Sequence, residues 1–133
     1  MSQDQERSNR NKQTAMQFYQ MVVGDRDFEG AKALVGDTYI QHNPNLAHGF
    51  DALVDAMENN PRWSNRPKSN IEMIYPVAEG DLVYFQVVLP APEGQRGTVW
   101  ERFRLDENGK IVEHWDAPVF IDLASAKNDA PLY

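Results

Sequence analysis

Glu101, His114 and Asp116 fall in one stretch, Gly97 to Val119, GTVWERFRLDENGKIVEHWDAPV, beside several aromatic residues. Two carboxylates and an imidazole in such company are either solvated decoration or the groups of an acid/base site. Val99, Glu101, Phe103 and Leu105 alternate with Trp100, Arg102 and Arg104, so a strand here puts Glu101 on its apolar face. A carboxylate on that face needs a partner or a raised pKa. His114 and Asp116 share one parity of the next strand and Trp115 the other. If the first parity faces inward, Asp116 can orient His42 or His114; if Trp115 faces inward, both are sheet-surface groups, and a bulge can shift either assignment. His42, in Gln41-His42-Asn43-Pro44, is either an acid/base at a pocket mouth or a residue that fixes the loop before Pro44.

Other chemistries have weaker support. His42, His48 and His114 show no helical i, i+4 pairing and no HExxH motif, so no metal site is expected. Ser8, Ser64, Ser69 and Ser125 lie in no GxSxG context. With no cysteine there is no disulfide framework, thiol nucleophile or Cys-based zinc site. The aromatic residues are mostly core and sheet packing, with Trp63, Tyr84 and Phe103 the subset that would line a pocket. Arg102 and Arg104 read as outer-face cations.

The elements that must position these groups follow from period. Ser2 to Lys12 is charged and polar, and residues 1–12 are expected to be a disordered or frayed end, leaving 13–133 as one domain. Ala15, Phe18, Tyr19, Val22 and Val23 recur at helical spacing, with Gly24 placed to stop the helix. Asp27 can cap a second helix that carries Phe28, Ala31, Leu34 and Val35 inward and ends at Gly36. After an extended piece, Tyr39 to Asn43, a third helix with Phe50, Leu53, Val54 and Met57 starts after Gly49 and ends before Pro61. The period then changes to two. Ile71 to Val77 alternates, Glu79-Gly80 marks a hairpin turn, Leu82 to Leu89 is a β-prone run, and Asp106-Glu107-Asn108-Gly109 is a further turn. Helices first and a meander of strands afterwards predict an α+β domain on a mostly antiparallel sheet.

Composition narrows the partners. The formal net charge of −7 over 133 residues, with no Lys/Arg cluster, provides no footprint for nucleic acid. No run reaches the ~18 apolar residues of a membrane span, and the polar start lacks the core of a signal peptide, so neither a membrane nor export is expected and the default location is cytoplasmic.

The order of Phe18-Tyr19, then GDTYIQHNP, EGDLVYFQV and ERFRLDENGKIVEHWD, then a tail ending KNDAPLY, resembles the SnoaL-like polyketide cyclases of the NTF2-like superfamily. The resemblance implies a cystatin-like α+β cone: a curved, mostly antiparallel sheet wrapped around three N-terminal helices, an enclosed apolar ligand-binding pocket, and frequent homodimers through the outer sheet surface. It also implies acid/base chemistry without metal or organic cofactor, a pocket carboxylate taking a proton next to a carbonyl so that the enolate closes a ring. Glu101 falls where such relatives have a pocket Asp, at a strand position like that of the protonated oxyanion Asp of ketosteroid isomerase, and Tyr19 falls near that enzyme's phenolic donor. Relatives carry His on the VYFQV strand, where this chain has Gln86. The expected activity is thus a cofactor-independent aldol-type cyclase or isomerase acting on a small, apolar, polyketide-like carbonyl compound. Glu101, His42 and Asp116 would be catalytic, and Tyr19, Trp63, Tyr84, Gln86, Phe103 and His114 would contact substrate. The alternative is a non-catalytic binding protein with the same pocket, favoured by Gln86 and by Glu in place of Asp at 101.

Overall fold

The computed structural model describes residues 1–133. Helix α1 runs from Gln3 to Tyr19, capped by the Ser2 hydroxyl, which accepts from the Gln5 N–H. The polar N-terminus is therefore helical rather than frayed. Its Gln, Glu, Arg and Lys residues are good helix formers, and the segment is anchored by Asn11, which is fully buried and donates through Nδ2 to the Gly80 carbonyl at 3.1 Å.

Gly24 does not stop this helix. The chain widens into a π-helical turn over Gln20–Asp25 and ends at Arg26 in the left-handed region, φ 54°. Gly24 instead allows close approach, because a Cβ there would lie 2.4 Å from the Ser69 carbonyl oxygen. Gln20 ties the same two segments together, donating to Ser69 O and accepting from the Ile71 N–H. Asp27 caps the short helix α2, Phe28–Lys32, by accepting from the Gly30 N–H. Leu34 and Val35 lie beyond it, and Gly36 belongs to strand β1, Val35–Gln41. Helix α3 covers Phe50–Asn59, and after it comes a single turn, α4, Pro61–Ser64, which the sequence pattern did not suggest.

Strands β2 (Met73–Glu79), β3 (Leu82–Leu89), β4 (Gln95–Leu105) and β5 (Ile111–Asp122) complete one curved sheet in the order β1-β5-β4-β3-β2. All neighbours are antiparallel except β1 with β5. Gly80, at φ 61°, makes the β2–β3 turn. The helices cover the concave face, where Phe18, Val22 and Leu53 meet Phe85, Val99 and Phe103. The last residues lie on the convex face, Leu132 offering its carbonyl to Gln86 Nε2 at 2.7 Å. No helix is long and apolar enough to cross a membrane.

Candidate active site

Between the helices and the concave face lies a cavity of about 180 Å³, walled chiefly by apolar side chains including Phe18, Val22, Leu53 and Met57. Its polar groups come from three strands, two helices and the loops after β1 and α4. The β4–β5 register sets Glu101 opposite Asp116 and Phe103 opposite His114, so alternation brings all four to the inner face. Tyr19 reaches it from the end of α1, and Trp63 from α4.

Glu101 is 4% exposed and His114 7%. Glu101 Oε2 lies 2.6 Å from His114 Nε2, while His114 Nδ1 lies 2.8 Å from Gln41 Oε1. The same Gln41 oxygen accepts from the main-chain N–H of Asn43 at 3.0 Å. A main-chain amide can only donate, so the Gln41 atom at this junction is the carbonyl oxygen and His114 must carry its proton on Nδ1. The 2.6 Å contact on the other side of the ring then holds one proton, shared between Nε2 and the carboxyl group. Gln41 is itself fixed, because its N–H donates to His48 Nδ1 at 3.0 Å. Tyr39 stacks on the imidazole, centroids 6.4 Å apart and planes 16° apart.

Burial pushes the Glu101 pKa up, the net of a desolvation that outweighs the opposing pull of His114, with Asp116 also raising it and the Tyr19 phenol lowering it. Burial likewise raises Tyr19 and Tyr39, helped in both by the charge of Glu101. Both phenols are therefore held neutral. Asp116 is only half-buried and lines the cavity, its two oxygens each 3.0 Å from Asn43 Nδ2. Glu101, His114 and Asp116 also have ligating atoms within 4.8 Å of one another and are the residues that could face a cation. Both ring nitrogens of His114 are already engaged, so a metal there would have to displace the short contact to Glu101.

Three expected site residues lie elsewhere. His42 is on the outer surface, where Nε2 meets Glu113 Oε2 at 2.7 Å and the ring stacks on Trp115 at 4.4 Å. The reason is parity: Tyr39 and Gln41 take the inner positions of β1, and His42 follows Ile40 outward. Although partial burial opposes it, hydrogen bonds from His42 and Arg104 hold the Glu113 carboxyl below its usual range. Tyr84 is also on the outer face, its hydroxyl accepting from Arg102 Nη1 at 3.3 Å. Gln86 shares that parity and is buried by the C-terminal tail, donating to Thr98 Oγ1 at 2.9 Å and to Leu132 O. The residue facing Glu101 from β3 is Phe85, so Gln86 says nothing about pocket chemistry. Trp63, Phe103, Tyr19, His114 and Asp116 do line the cavity. Gln41, Asn43 and Tyr39 are site residues that the sequence reading missed; only the alternation of Tyr39 and Gln41 could have signalled the pair.

The family model of the SnoaL-like domain matches residues 15–114. Among solved structures, a proposed ketosteroid isomerase from Kribbella flavida is similar at 14% identity and TM-score 0.63, over 93% of this chain and 84% of that one. A proposed isomerase of the SnoaL-like family from Agrobacterium tumefaciens is similar at 16% identity and TM-score 0.61, over 84% and 98%. TsrD from Streptomyces laurentii is similar at 20% identity and TM-score 0.56, over 81% and 87%. No curated protein matches the chain.

Proposed function

Because the chain belongs to the SnoaL-like domain family and has its NTF2-like α+β fold, we propose that it is a cofactor-independent proton-transfer enzyme, an isomerase or aldol-type cyclase acting on a small carbonyl compound. The observation that carries this reading is the buried 2.6 Å contact between Glu101 and His114 at an apolar cavity. Glu101 Oε2 is committed to His114, which leaves Oε1 for the Tyr19 phenol and for substrate.

The dyad acts as one base. When Oε1 takes a proton from the carbon beside a substrate carbonyl, the proton already shared with His114 passes to Nε2, and the imidazolium is stabilised through Nδ1–H by Gln41 Oε1. The C–H electron pair moves into the enolate. A carboxyl group that has gained a proton pulls less on Tyr19, whose neutral phenol can then donate to the enolate oxygen. Protonation at another carbon completes an isomerisation, and attack on a second carbonyl completes a ring closure. Asp116, on the solvent side, is the second carboxylate available to relay the proton. Trp63 and Phe103 hold the carbon skeleton by apolar contact.

The test uses small cyclic ketones in D2O, with binding followed by calorimetry and α-hydrogen exchange by mass spectrometry. Wild type is expected to exchange a bound ketone, and Glu101→Gln to bind it with exchange slowed ~10²–10⁴-fold, the usual contribution of a positioned acid/base. A ketone bound by both proteins and exchanged by neither would leave a small-molecule-binding protein on this fold. We also propose that the chain forms a homodimer through the outer sheet face, where Val77, Tyr84 and Trp100 are exposed.

A further inference from the structure

The cavity mouth carries two cations that the acid/base chemistry does not use. Arg62 and Arg66 both line the cavity and both are exposed. Neither takes part in an ion pair. The carboxylates inside do not consume them, since Glu101 is engaged by His114 and Asp116 by Asn43. Arg66 nevertheless acts on the interior, its charge lowering the pKa that burial raises at Tyr19.

The segment bearing these arginines is held in place. Arg26, at the end of the π-helical turn, donates from Nη1 to Ser64 O at 2.6 Å and from Nη2 to Trp63 O at 2.5 Å and to Arg66 O. One guanidinium thus gathers three carbonyls of a short turn whose own main-chain bonds run from Trp63 and Ser64 to Asn60 O and from Arg66 to Trp63 O. Asn60 caps that turn through its side chain, accepting from the Arg62 N–H at 3.0 Å. The result is a fixed rim with Trp63 between the two cations, and the amides of Asn43 and Asn45 line the same cavity.

A neutral apolar ligand would gain nothing from this rim. In a chain of net charge −7, with two carboxylates in the cavity, an anion would be repelled unless cations were placed at the entrance. Guanidinium groups match the planar, two-oxygen geometry of a carboxylate. We propose that the substrate is a carbonyl compound that also bears a carboxylate, which Arg62 and Arg66 receive at the rim while its carbonyl end reaches Glu101, His114 and Tyr19. This rests on the proton-transfer reading for the inner end only; the recognition of the anion stands on the rim.

The test compares 4-oxocyclohexanecarboxylate with its carboxamide, which has the same shape and no charge, by isothermal titration calorimetry. Wild type is expected to bind the carboxylate about tenfold or more tightly than the amide at low salt, with the preference shrinking at high salt. In Arg62→Gln/Arg66→Gln the ratio should fall to about one. In a charge-matched control, Arg10→Gln/Lys127→Gln, it should persist, because those two exposed residues are not among the cavity lining. Equal binding of the two probes by wild type, binding of neither, or an undiminished ratio in the rim variant would overturn the proposal. The ratio is read without turnover. If the carboxylate is preferred but its α-hydrogens are not exchanged, the rim assignment stands and the proton-transfer reading falls.

Discussion

Glu101 is held where its charged form is disfavoured, and that makes its effect on stability pH-dependent. Its folded pKa is raised by burial, so between the unfolded value and the folded one the native state binds more protons than the unfolded state. Stability therefore falls as pH rises through that window, and no penalty remains below it. Glu101→Gln removes the titration while keeping a polar side chain of the same length. Wild type and variant are expected to melt together near pH ~4, the variant becoming the more stable as pH rises toward ~7. A gap that does not change with pH in thermal melts would mean that Glu101 does not titrate between the two states. This residue was legible from alternation because Val99, Phe103 and Leu105 mark its face without ambiguity, and all three are buried beside it. Gln41 was not. On β1 the pattern is mixed, aromatic Tyr39 and polar Gln41 being buried on one face while apolar Ile40 is 43% exposed on the other. Hydrophobicity alone therefore does not choose between the face of Tyr39 and Gln41 and that of Ile40 and His42. What decides the face is the pairing of Gln41 with His114 across the sheet, a contact between residues far apart in sequence.

Element boundaries divide in the same way, according to whether the deciding contact is local. The β3 run, the turns at Gly80 and Gly109 and the start of α3 after Gly49 depend on local composition and backbone geometry, and the sequence pattern locates them. The N-terminal turns of α1 depend on Asn11 reaching Gly80, and the role of Gly24 depends on Ser69. Neither contact has a local signal. The C-terminal tail is the clearest case, since nothing local in Ala124 to Tyr133 says which face of the sheet it covers. It lies on the outer face, where Leu132 O satisfies a Gln86 amide that would otherwise be buried beside Thr98, and no residue after Phe120 lines the cavity. Deleting residues 128–133 is therefore expected to act on stability, Gln86 losing its hydrogen bond to Leu132 at a net cost of about 0.5–1.5 kcal/mol as water reaches the amide. Calorimetry should give unchanged affinity for a bound ketone, and thermal melting a lower Tm. An altered affinity with an unchanged Tm would instead make the tail a cover of the cavity.

At the scale of the whole molecule, the two faces of the sheet have different tasks. The concave face is filled by helices and the cavity, while the convex face presents Val77, Tyr84, Trp100 and Val119 to solvent, Trp100 being 53% exposed. Arg102 lies over the Trp115 ring at 3.9 Å, and Arg104 bridges Asp81 and Glu113, so charged groups of both signs border the apolar stripe. A two-fold partner needs such a self-complementary surface, apolar at the centre with opposite charges at the margin. The β2 edge is unsuited to extending the sheet instead. Its ladder is interrupted between Ile74 and Val77, where Tyr75 adopts φ 53° and Pro76 offers no N–H, a common way of blunting an edge against strand addition. Association through the face rather than the edge is thus the arrangement the proposed homodimer would adopt. Sedimentation equilibrium is expected to show a species of twice the 15.2 kDa chain mass, and Trp100→Glu, which places a charge at the centre of the stripe, should lower it to one chain. The substituted side chain is exposed, so circular dichroism and the cavity's ligand affinity should be unchanged. A wild type that stays monomeric at ~100 µM, or a variant that remains dimeric, would remove the convex face as the interface.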